Sequence, residues 1–97
     1  MKTLEEVKAI LEANKDRLKE KYKIKGIGIF GSFVRGEQKR KSDIDLLVDF
    51  DEAIGFFKFL ELEEYLGKLV GTKVDLVSRK ALKPRIGKYI LEEVIQV

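Results

Sequence analysis

Two aspartates, Asp43 and Asp45, stand two residues apart at the start of the apolar run DIDLLV (residues 43–48). In a β-strand such residues point to the same face, with Cα atoms ~7 Å apart at a rise of about 3.3 Å per residue. Their side chains can then converge on one divalent cation, or on two cations ~3.5–4 Å apart. Since magnesium is usually held by one or two carboxylates plus substrate phosphates, the pair predicts a magnesium–nucleotide site. The alternative for this short motif alone is a solvated strand start.

A glycine–serine turn precedes these aspartates by ten residues. Small side chains at Gly31 and Ser32 let backbone N–H groups approach an anion closely, particularly where a helix begins. We predict that Ser32 caps a short helical turn closed by Gly36. Arg35, one turn beyond Gly31, could hold a phosphate through two parallel hydrogen bonds. The alternatives are ordinary turn chemistry for the Gly-Ser pair and an ordinary surface role for Arg35.

A third carboxylate lies in the later apolar run TKVDLV, residues 72–77. A charge in the middle of such a run is costly to bury unless it is paired or bound to a metal. If this third strand lies beside the strand of Asp45, Asp75 faces the same cleft and completes a three-carboxylate cluster. The alternative is an edge-strand aspartate in contact with water.

Composition removes several other kinds of chemistry. The 97 residues contain neither Cys nor His, which excludes disulfides, thiolate or His-ligated zinc, and Ser-His triads. With 44% hydrophobic residues, the chain is expected to form one domain with an ordinary core. A net charge of +3 is milder than a dedicated nucleic-acid binder requires, so nucleic acid is an unexpected partner. We see no membrane span and no signal peptide, and expect a cytoplasmic protein.

The hydrophobic periodicity predicts the elements that must position these residues. It indicates a helix over residues 3–21 that opens with a capping box, Thr3 and Glu6. Strands are predicted over residues 24–30, 44–50 and 73–77. A helix is predicted from Phe56 to the region of Gly67–Gly71, and another beginning at Pro84. This order predicts an α+β fold with two layers, a small mixed β-sheet covered by helices.

The joint pattern resembles a known family. Gly31-Ser32, ten residues, Asp43-Ile44-Asp45 and a later strand aspartate resemble the DNA polymerase β-like nucleotidyltransferase superfamily. More narrowly, GSFVRG and SDIDLLV are similar to the minimal nucleotidyltransferases, the small antitoxin partners of HEPN-domain ribonuclease toxins. Val34 stands where many relatives have Ala. The resemblance covers nearly the whole chain and implies that residues 1–97 form a single minimal nucleotidyltransferase domain with the polymerase β-like fold.

The resemblance implies a Mg²⁺-dependent protein adenylyltransferase that moves AMP from ATP to a tyrosine of a cognate HEPN toxin. Asp43 and Asp45 would bind two Mg²⁺ ions, and Asp75 would bind the catalytic ion and help to activate the incoming hydroxyl. These three aspartates would be both the catalytic and the metal-binding residues. The nucleotide-binding residues would be Gly31, Ser32, Arg35 and Ser42.

Two other functions stay open. The chain could neutralise its toxin by binding alone, with the nucleotide site secondary. It could also be a nucleotidyltransferase acting on RNA or a small molecule, although it lacks an aromatic platform for single-stranded RNA and room for a domain that holds a drug. The basic run of residues 39–41 would contact a triphosphate or a partner, or be simply solvated. We interpret Asp49 and Asp51 as solubilising residues at a strand end.

Overall fold

The computed structural model describes residues 2–37 and 43–97. A short 3₁₀ turn, Arg79–Ala81, follows the third strand. The other elements, in chain order, are α1 (Leu4–Ala13), α2 (Lys15–Tyr22), β1 (Ile24–Phe30), α3 (Ser32–Arg35), β2 (Ile44–Phe50), α4 (Phe56–Val70), β3 (Val74–Ser78), α5 (Pro84–Glu93) and β4 (Ile95–Gln96).

The strands form one mixed sheet in the order β3-β2-β1-β4. β1 pairs antiparallel with both β2 and β4, whereas β2 and β3 are parallel. A parallel pair needs a crossover, and the 15-residue helix α4 supplies it. The predicted α+β class and mixed sheet are therefore confirmed.

Alternation along β2 separates the core from the candidate site. Ile44, Leu46 and Val48 are fully buried and belong to the main hydrophobic cluster, together with residues of α1, α2 and α4. Burying a side chain of this size stabilises a fold by about 1.5–3 kcal/mol. Asp45 falls between them and points to the opposite face. α1, α2 and α4 thus form the second layer on one face of the sheet and leave Asp45 on the other.

The N-terminal helix was predicted to be continuous over residues 3–21, and this is wrong. The capping box at Thr3 and Glu6 is present, with reciprocal hydrogen bonds of 3.1 and 3.2 Å. The helix ends at Ala13, because Asn14 departs from helical geometry (φ −106°, ψ 6°) and its side-chain amide donates to the Ile10 carbonyl at 2.8 Å. Asparagine competes in this way with the helical hydrogen bonds, and α2 begins as a separate helix at Lys15.

The C-terminal strand was not predicted. β4 pairs Ile95 with Ile29, and the Val97 N–H donates to the Ile27 carbonyl at 2.9 Å. Two residues are too few to produce an alternating pattern that a sequence reader can recognise. The other strands match their predicted spans, except that β3 begins one residue later and ends at Ser78. Within residues 2–37 and 43–97, none of the helices has the length and apolarity to span a bilayer.

Candidate active site

Strand pairing brings two of the three predicted carboxylates side by side. In the parallel register of β2 and β3, Asp45 lies directly opposite Asp75. Asp43 immediately precedes β2, and the backbone N–H of Ile44 donates to the Lys73 carbonyl at 3.0 Å. The predicted adjacency of the second and third strands is therefore confirmed, and Asp75 shares a face with Asp45.

The electrostatics of Asp45 reflect this crowding. The pKa of Asp45 is raised to about 6, mainly by burial and also by the nearby charges of Asp75 and Asp43, while Arg35 opposes them. A half-buried carboxylate between two others is stabilised by any cation that enters, because the cation offsets both the desolvation and the repulsion.

Asp43 has a different partner, the basic side chain of Lys73. The Asp43 side chain lies 4.0 Å from the ammonium group of Lys73, and both side chains are substantially exposed. In the described part of the chain, no three Asp, Glu, His or Cys side chains are grouped closely enough to hold a metal ion as they stand. Like charges repel one another in the absence of a cation, so binding would have to draw the carboxylates together. Sequence reasoning missed Lys73.

Gly31 forms the turn between β1 and the site. Its backbone (φ 81°, ψ −153°) is one that only glycine adopts without strain, and a Cβ at this position would overlap the Asp45 carboxylate. The last residue of β1, Phe30, pairs with Asp45. The turn and the aspartate are thus in direct contact, which the sequence spacing did not reveal.

α3 begins one residue earlier than a cap at Ser32 would allow. Gly31 is the N-cap and Ser32 is the first helical residue, so the prediction that Ser32 caps the turn is wrong. Gly31 has no side chain, so the first turn of α3 has no side-chain cap hydrogen bond. The predicted closure at Gly36 is confirmed by its left-handed conformation (φ 71°).

A glutamate from α5 completes the site, and sequence reasoning missed it. Glu93 accepts hydrogen bonds from the Gly31 N–H at 3.0 Å and from Arg35 Nη1 at 2.7 Å. Arg35 also pairs through Nε with Glu37, so two carboxylates hold its guanidinium. One signal was present: acidic residues at a helix C-terminus oppose the helix dipole, and Glu93 ends α5.

The remaining predictions concern Ser42, the basic run and Asp49. Ser42 and the basic run of residues 39–41 lie outside the described residues. Asp49 lies farther along β2, on the same face as Asp45. Its carboxylate is 3.6 Å from the guanidinium group of Arg79. It is therefore an ion-paired residue rather than a merely solubilising one.

The arrangement suits two ligands of opposite charge. Asp43, Asp45 and Asp75 offer oxygen ligands, which hard divalent cations prefer. The Gly31 N–H and the Arg35 guanidinium offer hydrogen-bond donors of the kind that bind phosphates. A metal–polyphosphate substrate presents both charges at once.

Comparisons with known proteins agree with this geometry. The family profile described as "Nucleotidyltransferase domain" matches residues 11–97. A protein from Thermococcus cleftensis named protein adenylyltransferase MntA is 53% identical over 97 residues, covering 100% of this chain and 98% of the relative.

Solved structures give the same result. A candidate minimal nucleotidyltransferase superposes with a TM-score of 0.83 at 35% identity, covering 99% of this chain and 97% of the other. A toxin–antitoxin structure with AMP-PNP superposes with a TM-score of 0.74 at 26% identity, covering 93% of this chain and 70% of the other.

Proposed function

The chain belongs to the nucleotidyltransferase domain family, and on that basis we propose that it transfers AMP from ATP to a hydroxyl group of a partner protein. One observation carries the proposal: Asp45, its pKa raised to about 6, lies opposite Asp75 and touches the glycine turn. Carboxylates for a cation and donors for phosphates therefore occur within one site. The name of the Thermococcus relative supports protein as the acceptor.

The proposed reaction is an in-line displacement at the α-phosphorus. The acceptor oxygen forms a bond to the α-phosphorus, the bond to the bridging oxygen of the β-phosphate breaks, and diphosphate leaves. The acceptor proton passes to a carboxylate, for which Asp75 is our candidate. Mg²⁺ held by Asp43, Asp45 and Asp75 would neutralise phosphate charge and lower the pKa of the acceptor hydroxyl.

The protein's own groups have defined tasks in this scheme. The Gly31 N–H and Arg35 bind and orient phosphates, and Ser32 and Ser42 complete the proposed nucleotide-binding set. The half-burial of Asp45 strengthens its electrostatic interactions, because the local dielectric is lower than in water. We place all of this in a single minimal nucleotidyltransferase domain over residues 1–97.

The acceptor that we propose is a tyrosine of a HEPN-domain ribonuclease toxin, so that the chain acts as an antitoxin in the cytoplasm. Two observations support this: AMP-PNP, an ATP analogue, is present in a toxin–antitoxin structure 26% identical to this chain, and the sequence motifs resemble the antitoxin family.

The test is incubation with ATP labelled at the α-phosphate, Mg²⁺ and a HEPN-domain protein from the same organism. Wild type should label that protein on tyrosine, and Asp45→Asn should not. Asp49→Asn is the matched control, since it removes the same charge from the same face of β2. In the wild type, Asp49 pairs with Arg79 rather than with the proposed site. Labelling that survives in Asp45→Asn would refute the assignment. Toxin neutralisation by an inactive but folded variant would instead favour an antitoxin that acts by binding alone.

A further inference from the structure

The carboxylate of Glu93 bridges the two phosphate-binding groups of the candidate site. One of its oxygens accepts the Gly31 N–H at 3.0 Å, and the other accepts Arg35 Nη1 at 2.7 Å. Its side chain is only 22% exposed, whereas that of Arg35 is 51% exposed. Glu93 is thus the more enclosed partner, held at the end of α5.

A carboxylate in this position resembles one edge of a phosphate. Both groups offer two oxygens that share negative charge, and both accept charge-assisted hydrogen bonds from guanidinium and backbone N–H groups. A backbone N–H carries a single proton, so it cannot serve Glu93 and a phosphate oxygen at full strength together. The donors of Gly31 and Arg35 are therefore already occupied before any nucleotide arrives.

The negative charge of Glu93 also opposes the binding of a phosphate. Partial burial alone would raise the pKa of Glu93, but the hydrogen bonds from Gly31 and Arg35 outweigh it and the pKa lies below its usual value. The group is therefore ionised at neutral pH. Its charge also contributes to raising the pKa of Asp45, which shows that it is felt across the site. An incoming triphosphate meets this negative charge at its own binding groups.

We propose that Glu93 occupies the phosphate-binding donors in the nucleotide-free protein and must leave them when a triphosphate binds, so that it sets the apparent affinity for ATP. This inference rests on the proposed function, because it takes Gly31 and Arg35 to be phosphate donors. Arg35 keeps its second partner, Glu37, when Glu93 leaves, so the guanidinium stays oriented. If the closed arrangement outweighs the open one by roughly ten to one, the measured Kd lies about tenfold above the intrinsic value.

The experiment is calorimetric binding of Mg²⁺–AMP-PNP, tripolyphosphate and adenosine to the full chain. Glu93→Gln keeps the size of the side chain and removes its charge, and Glu92→Gln removes the same charge from the neighbouring exposed position. We expect Glu93→Gln to bind AMP-PNP and tripolyphosphate roughly five- to tenfold more tightly than wild type. Glu92→Gln should stay within about twofold, and adenosine should bind all three proteins alike because it carries no phosphate.

A second variant separates the two donors. Glu37→Gln releases Arg35 on its other side and leaves the contact between Gly31 and Glu93 in place, so its effect should be smaller than that of Glu93→Gln. A merely structural role for Glu93 predicts the reverse direction, a lower melting temperature together with equal or weaker AMP-PNP binding, and that result would overturn the proposal. If wild type and every variant fail to bind AMP-PNP, the proposed function itself fails and this inference fails with it.

Discussion

Replacing Asp45 by Asn should make the metal-free protein more stable while abolishing nucleotidyl transfer. Asp45 is half-buried opposite Asp75, and its pKa rises from the ordinary 3.8 to about 6. The folded state therefore holds the Asp45 proton more tightly than the unfolded chain does. Stability is lost as the pH rises from about 4 to about 6 and is not regained above it.

The size of the effect follows from the same values. At about 1.4 kcal/mol per pKa unit, the rise corresponds to an upper limit of roughly 3 kcal/mol at neutral pH. Solvent screening at a half-buried side chain reduces this, so we expect Asp45→Asn to gain about 1–2 kcal/mol. For a domain of this length, that gain corresponds to an increase of roughly 4–15 °C in Tm.

The assay is urea unfolding in a chelating buffer at about pH 7.5 and again at about pH 4, where the difference between variant and wild type should nearly vanish. Mg²⁺ should stabilise wild type but not the variant, because it offsets the repulsion that the substitution has already removed. Asp49→Asn is the control: it removes the ion-pair partner of Arg79 but does not reduce the repulsion at Asp45. The free energy of unfolding should therefore not increase. An Asp45→Asn protein less stable than wild type at the higher pH would refute the reasoning.

Three other outcomes are expected. Mg²⁺ affinity of the wild type, measured by calorimetry, should fall by roughly tenfold per pH unit below about pH 6, because Asp45 must lose its proton to bind the cation; a flat profile would contradict this. Gly31→Ala should cost about 1–3 kcal/mol of stability and reduce transfer at least roughly 100-fold, since its Cβ meets the Asp45 carboxylate at a positive φ; Gly55→Ala, in open space, is the control. Asn14→Ala should lower the free energy of unfolding by about 0.5–1.5 kcal/mol through loss of the bond to Ile10, with transfer unchanged; unaltered stability would show that the bond contributes nothing.

The aspartate pair could be predicted from sequence because its arrangement depends on residues close together in the chain. Alternation over a few residues places Asp43 and Asp45 on one face, and a helix between two apolar runs implies a parallel neighbour for Asp75. The register that sets Asp45 opposite Asp75 depends only on strands of matching hydrophobic pattern.

Glu93 could not be predicted in this way. It reaches Gly31 from 62 residues away in sequence, and no local spacing encodes a contact that depends on how α5 packs. The break at Asn14 and the short β4 were missed for a related reason. Each depends on individual hydrogen bonds, which periodicity does not report.

The place of Asp75 on an edge strand has a consequence for when the site exists. β3 has a single neighbour in the sheet, so its hydrogen bonds to β2 can open without disturbing β1. Repulsion between Asp45 and Asp75 favours that opening, and a bound cation opposes it. Amide hydrogen exchange in β3 should therefore be faster than in β2 and should slow when Mg²⁺–nucleotide binds. Part of the proposed catalytic centre therefore lies on an edge strand, and binding of the substrate would hold that strand in place.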